Sequence, residues 1–399
     1  MKSELLNRLP INKDNLQGIV LGIDATNLRS GGGVTHLIEL LNFAEPEKHN
    51  ILKIIVWGGA QTLAKLPERS WLEKVNPVAL NRGLLCRIWW QSFSLSRAAY
   101  SAGCNVLFVP GGSFVGNFRP IVTMSQNLLP FEWRELRRYG LVLLTFKFML
   151  LRFTQSLSFK RADGLIFLTD WAKKTVLKVT GKLSGKTATI PHGLNPRFKF
   201  KPKKQRPIVE YTMSNPFRLL YVSIIDQYKH QWHVVEAVHA LRAEGLPIIL
   251  ELVGPAYPPS LKRLQSVIAR LDSEGLWVQY HGLVPYESLH LIYENADIGI
   301  FASSCENMPN ILIETMAAGL AVACSNRGPM PEVLGDTGLY FDPEDPKDIA
   351  QAIRKLILSP ELRAEKAKVS FERADQFSWA CCADRTFSFL TTIAHKLPR

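Results

Sequence analysis

Short, unbroken apolar runs alternate along the chain with longer stretches whose apolar positions recur at helical spacing. In the first half the runs are 18–24, 52–57, 105–109, 121–124, 164–168 and 187–190; in the second half they are 218–224, 248–253, 277–281, 298–301 and 320–324. Continuous rather than alternating apolarity is what strands buried on both faces show. A helical stretch after most of them is the βαβ pattern of parallel sheets. Two such series predict an α/β chain of two Rossmann-like, doubly wound parallel-sheet domains, and 399 residues suffice for two cores. Between them lies RFKFKPKKQRPIVEYTMSNP (197–216), rich in Lys and Pro and without either period, which reads as a connection. The resulting division is a first domain at 1–196, a linker at 197–217, a second domain at 218–376 and a final segment at 377–399. Ligands of open parallel sheets bind beyond the carboxyl ends of the strands. Two such domains facing each other would therefore enclose a cleft lined by the residues that follow the strands.

One stretch, 131–160, departs from this pattern as a helical segment loaded with aromatic, aliphatic and basic residues. Lys147 and Arg152 interrupt it too early for a membrane span. A basic, aromatic amphipathic helix is the type that lies in a membrane interface; the alternative is a core helix, and part of it must be core in either case. Charge sharpens the point. The net charge is +13, and residues 1–200 hold 27 Lys and Arg against 12 Asp and Glu, while residues 201–399 hold 21 against 23. The excess lies wholly in the first half, which suits an anionic partner. The basic residues are dispersed and no nucleic-acid-binding motif is present, so an anionic membrane surface is favoured over nucleic acid. Six cysteines without a CxxC pair read as reduced thiols, and residues 1–15 lack the apolar core of a signal peptide. The expected location is cytoplasmic, with peripheral contact at the cytoplasmic face of the membrane.

Candidate chemistry concentrates in residues 301–345. Glu306 falls in a loop after an apolar run, and Glu314, with seven residues between, falls in a helix whose first turn is marked by Pro309. Free N–H groups at that helix start, near Asn307, Met308, Pro309 and Asn310, would attract a phosphate through unpaired donors and dipole. The carboxylates would accept hydrogen bonds from sugar hydroxyls. On spacing alone the two acids are more often an ordinary loop acid and a solvated helix acid. In the first domain Gly32 and Gly33 follow the first run and open a helix, where glycine lets backbone approach a phosphate or sugar. Gln126 and Asn127 follow the 121–124 run, and His192 sits in a Pro-His-Gly turn that reads as structural rather than catalytic. The chain contains no Asp-x-Asp, GxSxG, HExxH or P-loop, and its glycine run is not a GxGxxG. A metal-anchored diphosphate site and an NAD-dependent reaction are thereby disfavoured.

Taken in order, these features resemble the retaining glycosyltransferase family 4. Its Glu-x7-Glu signature matches Glu306 and Glu314, followed by AAG (317–319) and PEV (331–333). IPHGLN (190–195), LYVS (220–223), LVG (252–254), YHGL (280–283), ADI (296–298) and FSW (377–379) agree as well. The resemblance implies the GT-B fold, with the acceptor on the first domain, the nucleotide sugar on the second, and the last helix packed back on the first. It implies that Glu306 binds hydroxyls of the transferred sugar and that Glu314 accepts from the ribose. Lys229 matches the lysine of the family's diphosphate-binding basic pair, but Ile224 stands where the family has arginine, so that Lys229 would carry more of the leaving-group stabilisation, helped by Arg327 or His230. Gln126 and Asn127 stand where the family often has a histidine near the sugar. The implied catalytic residues are Glu306 and Lys229; Gly32, Gly33, Asn307, Met308, Pro309, Asn310 and Glu314 complete the donor site. The implied reaction is retaining transfer of a hexosyl group from GDP-mannose or a UDP-hexose to a saccharide or lipid-linked hydroxyl, in polysaccharide or lipopolysaccharide assembly, with no metal or other cofactor required. Two alternatives stand beside it. One is a catalytically impaired scaffold binding nucleotide sugar or a partner enzyme, and the other a nucleotide-sugar epimerase of the same architecture.

Overall fold

The computed structural model describes residues 18–29 and 31–395, so the signal-peptide reading of residues 1–15 lies outside the described residues. The first sheet comprises β1 (Ile19–Asp24), β2 (Ile51–Trp57), β3 (Leu72–Val75), β4 (Val106–Val109), β5 (Ile121–Met124), β6 (Gly164–Phe167) and β7 (Lys186–Thr189), in the order β3-β2-β1-β4-β5-β6-β7. The second comprises β8 (Phe217–Val222), β9 (Ile248–Val253), β10 (Val278–Tyr280), β11 (Ile298–Phe301), β12 (Ala321–Ser325) and β13 (Leu339–Phe341), in the order β10-β9-β8-β11-β12-β13. Every ladder is parallel. These are two doubly wound Rossmann-like domains, as the apolar runs predict.

Each predicted run contains a strand, shifted by one or two residues at most. The two that the pattern misses, β3 (LEKV) and β13 (LYF), are short edge strands. With a neighbour on one side only, they need no continuous apolar run. The strand order reverses between β1 and β4 in one sheet and between β8 and β11 in the other, and these switch points open crevices at the carboxyl ends.

The 131–160 stretch is not one helix. Short turns at Leu129–Phe131, Trp133–Leu136 and Arg137–Tyr139 precede a helix at Leu143–Arg161. Between them the chain turns at Gly140, whose φ of 72° is left-handed and suits glycine.

The connection between the domains is pinned rather than free. Arg363, fully buried in the helix Pro360–Ala374, donates to Gln205 Oε1 at 2.7 Å and to the carbonyl of Arg206 at 2.5 Å. It also donates to the carbonyls of Leu356 and Ile357, and its guanidinium stacks on Phe217. The helix Trp379–Ala394 then returns to the first domain, with Phe389 and Ile393 against β6 at Gly164 and Phe387 against His49. Leu194 donates its N–H to the carbonyl of Phe377 at 3.0 Å, so the chain enters this helix beside the Pro-His-Gly turn.

Gly193 makes that approach possible, because a Cβ there would lie 2.1 Å from the backbone nitrogen of Trp379. Gly193→Ala should therefore separate the last helix from the first domain and lower stability by about 1–3 kcal/mol, the usual cost of overpacking. A urea unfolding midpoint equal to that of the parent protein would show that the contact has slack.

Candidate functional site

Both switch-point crevices open into the same inter-domain cleft, and the turns that follow β8 and β11 bring two charges together there. After β8, the hydroxyl of buried Tyr221 donates to the carbonyl of Lys229 at 2.7 Å, and His230 takes a left-handed conformation with φ 54°. Lys229 itself is buried, with its Nζ over the rings of Tyr228 and Phe301 at 5.1 and 5.3 Å. It pairs with the carboxylate of Glu306 in the loop after β11. That loop is fastened by the N–H of Ser304, which donates to the carbonyl of Tyr228 at 2.8 Å. A buried pair of this kind needs both partners, since either charge alone would be costly there.

Two helices begin at the cleft, one from each domain. Gly32–Asn42 follows β1 and Asn310–Ala317 follows β11, and neither has a side chain capping its first turn. Their amino-terminal dipoles and uncapped amides favour an anion between them. No heavy atom lies within 4 Å of where a Cβ on Gly32 would sit, whereas a Cβ on Gly33 would collide with Gln126 Oε1 at 2.7 Å. Gly33 is thus the position that lets Gln126 reach the cleft.

Glu314, one turn into its helix, is buried and accepts from the hydroxyls of Tyr286 and Tyr293 at 3.3 and 3.5 Å. Burial pushes its carboxyl up to about 8, with the tyrosines acting weakly in the other direction. Asn307 crosses the cleft, donating from Nδ2 to the carbonyl of Ser125 at 2.7 Å and accepting at its own carbonyl from Thr169 Oγ1 at 3.0 Å. Its Oδ1 is buried without a partner.

All eleven positions singled out in the sequence line one of two adjoining cavities. Gly33, Gln126, Asn127 and Asn307 line a cavity of about 260 Å3, and Lys229, Pro309 and Glu314 line one of about 420 Å3. Gly32, Glu306, Met308 and Asn310 border both. Neither Arg327 nor His230, the expected substitutes for the charge lost at Ile224, lines either cavity. Arg327 pairs with Asp342 at 2.6 Å, and His230 Nε2 lies 2.9 Å from Ser304 Oγ, its imidazole lowered to about 3 chiefly by burial. Among the described residues, Lys229 is the one lysine or arginine lining either cavity.

Several wall residues were not assigned to the site by sequence, Tyr228, Tyr286 and His192 among them. Tyr228 and Tyr286 belong to no motif. His192 is part of the Pro-His-Gly turn, but its ring lines the smaller cavity, stacked on Trp379 and His36 at 5.5 and 4.8 Å. Its Nδ1 lies 3.2 Å from the amide nitrogen of Asn310, and its Nε2 is buried without a partner. Burial lowers it to about 4, so at neutral pH the imidazole is uncharged.

Comparison with known proteins bears on what such a cleft does. Solved structures share the fold across nearly the whole chain. Sucrose-phosphate synthase from Thermosynechococcus elongatus superposes with a TM-score of 0.72 over 93% of this chain and 98% of its own, at 17% identity. Alr3699/HepE from Anabaena, solved in complex with UDP, gives 0.67 over 94% of this chain and 100% of its own, also at 17% identity. The arrangement is accordingly GT-B, two facing Rossmann-like domains around a cleft. In sequence, the O-antigen chain mannosyltransferase B of Escherichia coli is 34% identical over 244 residues, which cover 58% of this chain and 61% of that relative. Residues 205–372, which hold Lys229, Glu306 and Glu314, match the family model described as glycosyl transferases group 1.

Proposed function

We propose that the chain is a retaining glycosyltransferase of family 4 that moves a hexosyl group from a nucleoside diphosphate sugar to a hydroxyl of a saccharide or lipid-linked acceptor, in the assembly of cell-surface polysaccharide or lipopolysaccharide. The observation that carries this reading is the convergence of Lys229, Glu306 and Glu314 on the uncapped start of the helix Asn310–Ala317. The mannosyltransferase similarity in Escherichia coli makes GDP-mannose the first donor to try, ahead of UDP-hexoses.

In this reading the nucleoside lies toward Glu314 and the diphosphate over the helix start. Lys229 Nζ turns from Glu306 to the distal phosphate, which frees the Glu306 carboxylate to accept from the sugar's hydroxyls. The bond between the anomeric carbon and the phosphate oxygen breaks with its electrons going to the diphosphate. That same phosphate oxygen takes the proton of the acceptor hydroxyl as the new bond forms on the same face. Charge on the leaving group is met by Lys229 and two helix termini without a metal, and such stabilisation supplies much of the rate in transfers of this kind. Neutral His192, with Nε2 unpaired, and the amides of Gln126 and Asn127 take the transferred sugar or the acceptor from the first domain.

The first test is a thermal-shift screen against UDP, GDP, ADP and their sugar conjugates, with and without EDTA. One nucleotide should raise the melting temperature selectively and EDTA should leave the shift intact. No shift with any of them would move the weight to a scaffold without turnover. Lys229→Ala should slow transfer by roughly two to three orders of magnitude, the scale of removing one stabilising group from a developing anion. Glu306→Ala should abolish sugar transfer while nucleoside diphosphate binding persists, and near-normal transfer would refute the site.

Glu314 gives a pH signature. Its folded-state carboxyl sits above the ordinary value, so the folded protein binds a proton that the unfolded chain releases, and stability falls as pH rises from about 4.5 to about 8. Glu314→Gln should remove that loss, gaining stability relative to the parent progressively across this window. Parallel melting curves for both proteins from pH 5 to pH 8 would contradict the assignment.

A further inference from the structure

Two helices of the first domain expose apolar stripes that line neither of these two cavities. On the helix Leu84–Phe93, Leu85, Ile88, Trp89 and Phe93 follow helical spacing on one side and face solvent, with Leu85 82% and Phe93 66% exposed. On the helix Leu143–Arg161, Leu143, Phe146, Leu150, Phe153 and Leu157 do the same, with Leu150 63% and Phe153 62% exposed. Scattered exposed apolar residues are ordinary, but ten or so large ones on neighbouring helices are not.

The buried sides of the two helices rest on the same short turn. Gln91, buried on the first helix, donates to the carbonyl of Ser113 at 3.1 Å. Ser158, buried on the second, accepts from the N–H of Phe114 at 2.9 Å, and Gln155 abuts Gly112. One short turn, 112–114, thus takes the polar side of both helices. Val115, directly after it, is exposed as well.

Charge selects the occupant. No aspartate or glutamate occurs between Glu73 and Glu132, or between Glu135 and Asp163. The same segments carry Arg82, Arg87, Arg97, Lys147 and Arg152, and none of these five forms an ion pair among the described residues. Two copies of the chain meeting on this face would set like charges against one another. An anionic bilayer offers both an apolar layer for the side chains and phosphate charge for the cations. No helix of the described residues is long and apolar enough to cross a membrane, so the contact is peripheral.

We infer that the face formed by Leu84–Phe93 and Leu143–Arg161 docks the protein on an anionic lipid bilayer, with Trp89, Phe93, Phe146, Leu150 and Phe153 inserted at the level of the headgroups. This adds a surface to the membrane contact suggested by the 131–160 composition: the second helix, Leu84–Phe93, lies outside that stretch. It does not depend on the glycosyl-transfer reading, because no residue of either helix lines the two cavities that hold Lys229, Glu306 and Glu314.

The test uses the full chain with vesicles of phosphatidylglycerol mixed into phosphatidylcholine, and with phosphatidylcholine alone. Sedimentation should show binding to the anionic vesicles at low salt, weakening as salt rises and much weaker on the neutral ones. A Trp89→Glu, Phe153→Glu double variant should lose at least about tenfold in partitioning, since each insertion removes a large apolar side chain from water. Both positions are exposed, so its melting temperature should match the parent's. Tryptophan emission should move to shorter wavelength on binding, and Trp89→Phe should remove most of that change. Absence of binding to anionic vesicles at low salt would overturn the inference, as would undiminished binding by the double variant. A parent chain that dimerises without lipid, and a double variant that stays monomeric, would instead assign the face to contact between copies.

Discussion

The buried pair of Lys229 and Glu306 sets the terms for the rest of the cleft. The Lys229 Nζ lies buried against the rings of Tyr228 and Phe301 and pairs with the Glu306 carboxylate, so that neither group is stranded. The pair joins the turns that follow β8 and β11, the two strands flanking the switch point of the second sheet. An incoming diphosphate would find one cation already engaged and would have to draw it from Glu306, which leaves that carboxylate free for hydroxyl groups. With Ile224 rather than a basic residue in the same turn, no second lysine or arginine among the described residues lines the two cavities, and the two helix starts would have to meet correspondingly more of an anion's charge.

Contacts across the cleft show how the first domain is registered on the second. Asn307 reaches Ser125, and Thr169 reaches Asn307. Glu332 accepts from the N–H groups of Asp170 and Trp171 at 2.8 and 2.9 Å, so a carboxylate of one domain satisfies the start of a helix in the other. Arg138 stands between Glu135 and Glu344, and its hydrogen bond holds the Glu344 carboxyl down at about 2. Tyr139 donates to Asp226 at 2.9 Å. The last helix contributes to the wall of the larger cavity through Trp379.

Much of the fold was legible because burial on both faces writes an unmistakable pattern. The ends of β5, β9 and β11 were readable to the residue, even though β5 carries Thr123 and β9 carries Glu251. The edge strands β3 and β13 were not, since a strand with one neighbour can carry Glu73 and Lys74 or shrink to three residues. In the site, glycines after a strand and a proline at a helix start are local signals that pointed to Gly32, Gly33 and Pro309, whereas Glu306 and Glu314, whose spacing alone suits ordinary acids, were singled out by the family resemblance. Tyr228, Tyr286 and the cavity-lining role of His192 had no such signal, because a buried tyrosine or histidine looks the same in sequence whether it faces a core or a ligand.

The sequence by itself determined two parallel-sheet domains, the surplus of positive charge in the first half, and the local chemistry that could surround an anion. These follow from periodicity, composition and turn preference, all of which act over a few residues. Only the tertiary structure decided which of those residues meet. It set Lys229 on Glu306 across 77 positions of chain and kept Arg327 and His230 out of the cavities. It broke the 131–160 stretch at Gly140 and turned its apolar stripe outward beside that of another helix. Those outcomes depend on how two sheets face and how loops close between them. Such pairings are long-range, and the desolvation that selects among them exists only once the cleft is formed.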